Sequence, residues 1–142
     1  MIRVPENMLE EIFAHANRES PNEACGWLAG RNGAMEESEG ARLHAARREI
    51  LVQKTYPVPN ASEHPGTRFV MEPESQISAM REIRNSGLEI VGTYHSHPKS
   101  PAHPSESDLE LALYPDIVHL IVSLTDGEAR WWRISNSGIE EA

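Results

Sequence analysis

Two histidines one residue apart, His95 and His97, are followed by Asp108 in the run Gly92-Thr-Tyr-His-Ser-His-Pro-Lys-Ser-Pro-Ala-His-Pro-Ser-Glu-Ser-Asp108. In an extended backbone, residues two apart point to the same face, so both imidazoles can converge on one ion. A short carboxylate at Asp108 supplies a third ligand. Three protein ligands leave the fourth position of a tetrahedral zinc open, the arrangement of a catalytic rather than a closed structural site. A metal hydrolase also needs a group that takes a proton from water and returns one to the leaving group. A carboxylate serves, and Glu23, in Ser20-Pro-Asn-Glu-Ala-Cys-Gly-Trp-Leu-Ala-Gly30, precedes a strand-like run. Sequence distance alone does not select it from the other acids.

The elements that must position these residues follow from periodicity. Leu88 to Tyr94 reads as a buried strand, so His95 and His97 emerge at its end, where functional groups gather in α/β folds. Ser105-Glu-Ser-Asp108 also reads as a capping box at the start of a helix that Tyr114-Pro115 stops. The two readings of Asp108 are compatible, because a helix N-terminus holds a short side chain rigidly. Met8, Leu9, Ile12, Phe13 and Ala16 form one stripe of an amphipathic helix over residues 5–18, and a second helix is predicted from Pro73 to Asn85, with Gly87 beyond its end. Further strands are expected at Cys25–Ala29, Ile50–Val58, Thr67–Met71, Ile117–Ser123 and Ala129–Ile134. The mixture is α/β or α+β. Arg31 to Gly40 reads as a turn, and Pro57 to Gly66 as a loop forming one wall of a cleft.

Composition narrows the function. A chain of 142 residues fits one domain, 1–142, with a core of its own. Thirteen basic against 22 acidic residues, net -9, argues against nucleic-acid binding. Cys25 is the single cysteine, which excludes an internal disulfide and a CxxC zinc site and suggests a reducing, cytoplasmic setting. No run approaches the ~18 apolar residues of a membrane span, and the N-terminus has no apolar signal segment, so a soluble, unprocessed protein is expected.

Glu23, His95-Ser96-His97-Pro98 and Ser105-Glu106-Ser107-Asp108 together resemble the signature of the JAMM, or MPN-plus, metallopeptidase family: an upstream glutamate, a His-Ser/Thr-His-Pro, and a Ser-x-x-Asp after a short proline-containing loop. The likeness extends through the opening Pro-Asn-Glu-Ala-Cys-Gly-Trp-Leu-Ala-Gly and the Phe69 to Gly92 segment, over roughly residues 1–134. The resemblance implies a mixed β-sheet flanked by helices, of cytidine-deaminase-like architecture. It implies one Zn2+ per chain on His95, His97 and Asp108, with Glu23 as general base and then general acid, and Ser105 hydrogen-bonding the oxyanion. The compact form is most similar to the prokaryotic stand-alone branch, whose members act on the C-terminal tails of ubiquitin-like or sulfur-carrier proteins, including CysO-cysteine type peptidases.

Two other readings compete: a binding module for ubiquitin-like partners that does not cut them, and a cupin-like non-haem iron oxygenase built on His-x-His plus a carboxylate. The predicted helices speak against the second. His103 is expected to be an exposed loop residue and Cys25 a buried apolar one rather than a nucleophile. Adjacent Trp131 and Trp132 should point to opposite faces, one into the core and one exposed at a partner surface.

Overall fold

The computed structural model describes residues 1–34 and 48–142. In chain order the elements are β1 (Ile2–Arg3), α1 (Glu6–Glu19), β2 (Cys25–Ala34), β3 (Arg48–Val58), α2 (Pro73–Asn85), β4 (Glu89–His97), a 3-10 helix (Ser107–Leu113), β5 (Val118–Ser123), β6 (Ala129–Ser135) and β7 (Gly138–Glu141). The strands form one seven-stranded sheet in the order β1-β3-β2-β4-β5-β6-β7. β1–β3 and β4–β5 pair in parallel and the rest antiparallel, so the sheet is mixed.

Both faces of the sheet are covered. On one, Ile12 and Ala16 of α1 pack against Leu28, Val52, Val91, Leu120 and Val122. On the other, Ala79 and Ile83 of α2 meet Cys25, Trp27, Ala29 and Val58, while Leu111 of the 3-10 helix meets Ile121, Trp132 and Ile134. α2 begins as its sequence predicts: Pro73 occupies the first turn and the Glu72 carboxylate accepts from the Glu74 and Ser75 N–H groups at 3.0 and 2.7 Å. Gly87, at φ +75°, takes the left-handed conformation just beyond the helix. Gly26 makes room for another contact. A Cβ there would collide with the Tyr94 ring, whose hydroxyl reaches His15 Nδ1 of α1 at 2.7 Å.

Several expectations are corrected. Thr67–Met71 is not a strand: only Met71 bridges Asn60, because the Asn60 side chain takes the Val70 N–H and the Arg68 carbonyl that a ladder would use. Residues 31–34 continue β2 rather than turning, and the remainder of the expected Arg31–Gly40 turn lies outside the described residues. The third helix is a 3-10 turn system, in keeping with its short length before Pro115. Strands β1 and β7, of two and four residues, are too short to show a period in the sequence. Neither tryptophan is an exposed platform: Trp132 is buried on the α2 face, and Trp131 is half-buried against the α1-side core.

Candidate metal centre

β4 and β5 run parallel, so the chain must cross over between them, and that crossover leaves from the C-terminal end of β4 carrying residues 98–117. His95 and His97 are the last residues of β4 on one face. The crossover folds back so that the 3-10 helix sets Asp108 against them.

His95 Nε2 and His97 Nε2 lie 3.2 Å apart, and each lies 3.0 Å from Asp108 Oδ2. Zinc–nitrogen bonds of about 2.0–2.1 Å in a tetrahedron place ligand atoms about 3.3 Å apart, so the triangle has the size of one face of that tetrahedron. The chemistry of the donor set agrees. His97 Nδ1 is 2.7 Å from the Pro101 carbonyl, which only accepts, so this nitrogen carries the proton. In the neutral ring, Nε2 then presents a lone pair to the Asp108 carboxylate and to His95. The His97 Nε2 lone pair and the Asp108 carboxylate then face each other at 3.0 Å in a buried site and need positive charge between them. A divalent cation would supply it without protonating either group, and His97 has the second hydrogen bond that metal-ligating histidines use to fix their tautomer.

The Asp108 carboxylate is held from its other side by a reciprocal cap: the Ser105 N–H donates to Oδ2 at 2.9 Å, and the Asp108 N–H donates to Ser105 Oγ at 3.2 Å. The reciprocal bonds of the capping-box reading are therefore present, one residue ahead of Glu106, the N-cap of the 3-10 helix, and Asp108 Oδ2 still faces both histidines. Burial alone would raise Asp108, but the two imidazoles and the Ser105 N–H outweigh it and hold the carboxyl well below the usual carboxylate range. Burial works against charge on His97 as well, but the Asp108 carboxylate, the Pro101 carbonyl and Glu23 together favour positive charge there and raise it above the ordinary histidine value.

Glu23 completes the group: its ligand atom and those of His95, His97 and Asp108 all lie within 4.8 Å of one another. It arrives through sheet register, since antiparallel pairing sets Cys25 opposite His95 and so places Glu23 alongside His97. Burial pushes its carboxyl up to about 7, with His97 drawing it down and Asp108 adding to the rise. Oε1 is buried and accepts no hydrogen bond from a described residue.

The loop between the ligands is clamped through three successive carbonyls. Ser100 O accepts from Ser123 Oγ at 2.8 Å, Pro101 O from His97 Nδ1, and Ala102 O from the Trp132 indole N–H at 3.0 Å. Ser123 and Trp132 thus hold the carbonyls on either side of the one that orients His97, a role that no spacing in the chain announced. Phe69 stacks on the His95 ring at 4.6 Å between centroids, another contact missed because it comes from a distant loop. His103 is exposed, and its Nε2 accepts from Arg130 on β6 at 2.8 Å. Cys25 is structural: its thiol donates to the Val58 carbonyl, and burial raises it to about 12.

A cavity of about 210 Å³ adjoins the triangle, lined by Trp27, Arg68–Met71, Thr93, Asp108, Leu111, Leu113 and Tyr114 among others. The expected wall at Pro57–Gly66 is displaced along the chain; it is Arg68–Met71 that faces the cavity. An Arg68–Glu110 ion pair at 3.1 Å links that wall to the 3-10 helix opposite.

Comparison with known proteins finds the family model described as prokaryotic homologs of the JAB domain matching residues 5–135. A Thermus thermophilus protein named "Probable TtuB-protein conjugate cleaving protease" is 34% identical over 127 residues, covering 89% of this chain and 72% of that protein. The CysO-cysteine peptidase of Mycobacterium tuberculosis is 30% identical over 138 residues, covering 95% of this chain and 84% of that one. The solution structure of protein DSY2949 from Desulfitobacterium hafniense superposes with a TM-score of 0.81 at 33% identity, covering 100% of this chain and 90% of that one.

Proposed function

The chain belongs to the family of prokaryotic homologs of the JAB domain, and from that premise we propose that it is a zinc-dependent peptidase that releases what is attached to the C-terminal tail of a ubiquitin-like or sulfur-carrier protein. The observation that carries this reading is the buried triangle of His95, His97 and Asp108 with Glu23 beside it. The relatives named for cleaving TtuB conjugates and for CysO-cysteine support the substrate class. A cupin-like oxygenase is set aside by the family match and by a sheet covered with helices on both faces.

His95, His97 and Asp108 would hold a zinc ion, with His97 oriented by Pro101 and Asp108 by Ser105, and the bound ion would supply Lewis acidity toward an amide carbonyl. Glu23 Oε1 has unspent acceptor capacity in a buried position, and takes the proton that water loses as the C–O bond forms. The same carboxyl then gives a proton to the departing amine as the C–N bond breaks. Ser105 Oγ, paired with Ser107 Oγ at 3.0 Å, turns its proton toward the oxyanion when Ser107 is the donor of that pair. The cavity between Arg68–Met71 and the 3-10 helix receives the extended tail.

The test is intact-mass spectrometry of a carrier-cysteine or carrier-lysine conjugate incubated with wild type, Glu23→Gln and chelator-treated enzyme. Wild type should remove one defined adduct and lose this activity on chelation until zinc is restored. Glu23→Gln should still bind zinc but cut at least about 100-fold more slowly. Zinc bound at one per chain without cleavage of any conjugate would instead identify a binding module.

A further inference from the structure

Glu23 stands just before β2 begins at Cys25, so no strand ladder holds its backbone. The segment between β3 and α2 does so instead. The Glu23 N–H donates to the Pro65 carbonyl at 2.7 Å, and the Glu23 carbonyl accepts from Asn60 Nδ2 at 3.0 Å. The same amide nitrogen donates to Arg68 O at 3.1 Å and, more weakly, to Pro65 O at 3.4 Å. Asn60 Oδ1 accepts from the Ser62 and Val70 N–H groups, each at 3.0 Å. Every partner is a backbone group. One half-buried side chain therefore braces the loop internally and ties it to Glu23.

Only an amide performs both halves of this task. A carboxylate at position 60 would keep the two accepted bonds but set an oxygen against the carbonyl oxygens of Glu23 and Arg68, replacing attraction by repulsion. The loop so braced also carries Phe69, stacked on His95, and Arg68, paired with Glu110 at the cavity. The residue after Glu23 is held from β4, where Ser96 Oγ accepts from the Ala24 N–H at 2.8 Å. Glu23 thus lies between two anchors, one in the sheet and one at Asn60.

We infer that Asn60 is a positioning residue, holding the Glu23 carboxylate against the His95–His97–Asp108 triangle by gripping its backbone; this rests on the reading of Glu23 as the base. Misplacing a reacting group by about 1 Å can lower a rate about 100-fold, so the grip should appear in turnover rather than in metal or substrate binding.

Asn60→Asp should lower kcat at least tenfold while KM and zinc affinity, the latter by chelator competition, stay within twofold. In the same variant, NMR hydrogen exchange at the Glu23 amide should accelerate at least tenfold, while the amides of residues 26–28 stay unchanged. In a Glu23→Gln background the substitution should add no further loss of rate. Unchanged exchange at Glu23, or zinc affinity and KM moving as far as kcat, would overturn the inference. A fully active Glu23→Gln enzyme would defeat the base assignment instead, and the exchange measurement would still report whether Asn60 holds residue 23. If Asn60→Asp does not fold, Asn60→Ser, whose hydroxyl ends one bond short of the amide nitrogen, should show the same pattern, and a variant matching wild type in exchange and kcat would overturn the proposal.

Discussion

Ser105 is where one residue serves two functions that a single substitution separates. Its hydroxyl accepts the Asp108 N–H, and its own N–H steadies Asp108 Oδ2, the oxygen that faces the histidines. Ser105→Ala deletes the first and leaves the second. If the hydroxyl also stabilises the oxyanion, as proposed, kcat should fall about 100-fold with zinc affinity changed by less than about fivefold. A purely structural hydroxyl would instead show itself as about 1 kcal/mol of stability lost in urea denaturation, with kcat preserved. The Ser-x-x-Asp spacing marks the cap in the sequence, and the oxyanion role is implied there only by the JAMM-like motif. That the capped Asp108 also faces the histidines depends on the crossover, which no local spacing encodes.

Strands β4 and β5 are joined by more than backbone bonds. His119 on β5 is fully buried opposite Thr93, with Nδ1 2.8 Å from Thr93 Oγ1 and Nε2 3.3 Å from the Tyr114 carbonyl. The neutral ring satisfies both partners, and burial lowers its pKa to about 4. As pH falls from about 6.5 to about 4 the unfolded chain binds a proton that the native ring refuses, so stability falls across this window and levels off below it. Wild type should lose on the order of 3 kcal/mol relative to His119→Gln between pH 7 and pH 4, read from urea midpoints at each pH. The difference between the two proteins is the measured quantity, because Glu23, raised to about 7, contributes with the opposite sign over much of the same range. An identical pH slope in both proteins would show that His119 is not the group responsible.

Across the whole molecule, the sheet sets the buried Glu23, His95, His97 and Asp108 group beside a cavity whose rim is apolar: Val70, Leu113 and Tyr114 are exposed large side chains on its lining. Leu113, 80% exposed, gains nothing for the isolated fold by being leucine. On the proposed function it meets the carrier. Leu113→Asp should raise KM for a folded carrier conjugate about tenfold, the scale of one lost apolar contact, without altering zinc affinity or the melting temperature. An unchanged KM would move the carrier's docking face elsewhere. The chain-wide charge of -9 fits a protein partner better than a nucleic acid.

The amino-acid sequence by itself determined the features whose rules are local. The two-residue period of a strand put His95 and His97 on one face, Ser105 and Asp108 formed their cap within one turn, and Pro73 and Gly87 bounded α2. The JAMM-like motif added Glu23 by resemblance, one acid among 22. Only the tertiary structure decided how Glu23 reaches the site, because strand register between β2 and β4 joins residues about 70 apart and leaves no periodic trace. The same holds for Asn60, Phe69 and Trp132. Their hydrogen-bonding and stacking partners are backbone groups and rings brought near by folding, so no spacing along the chain distinguishes them from an ordinary loop asparagine or core aromatic.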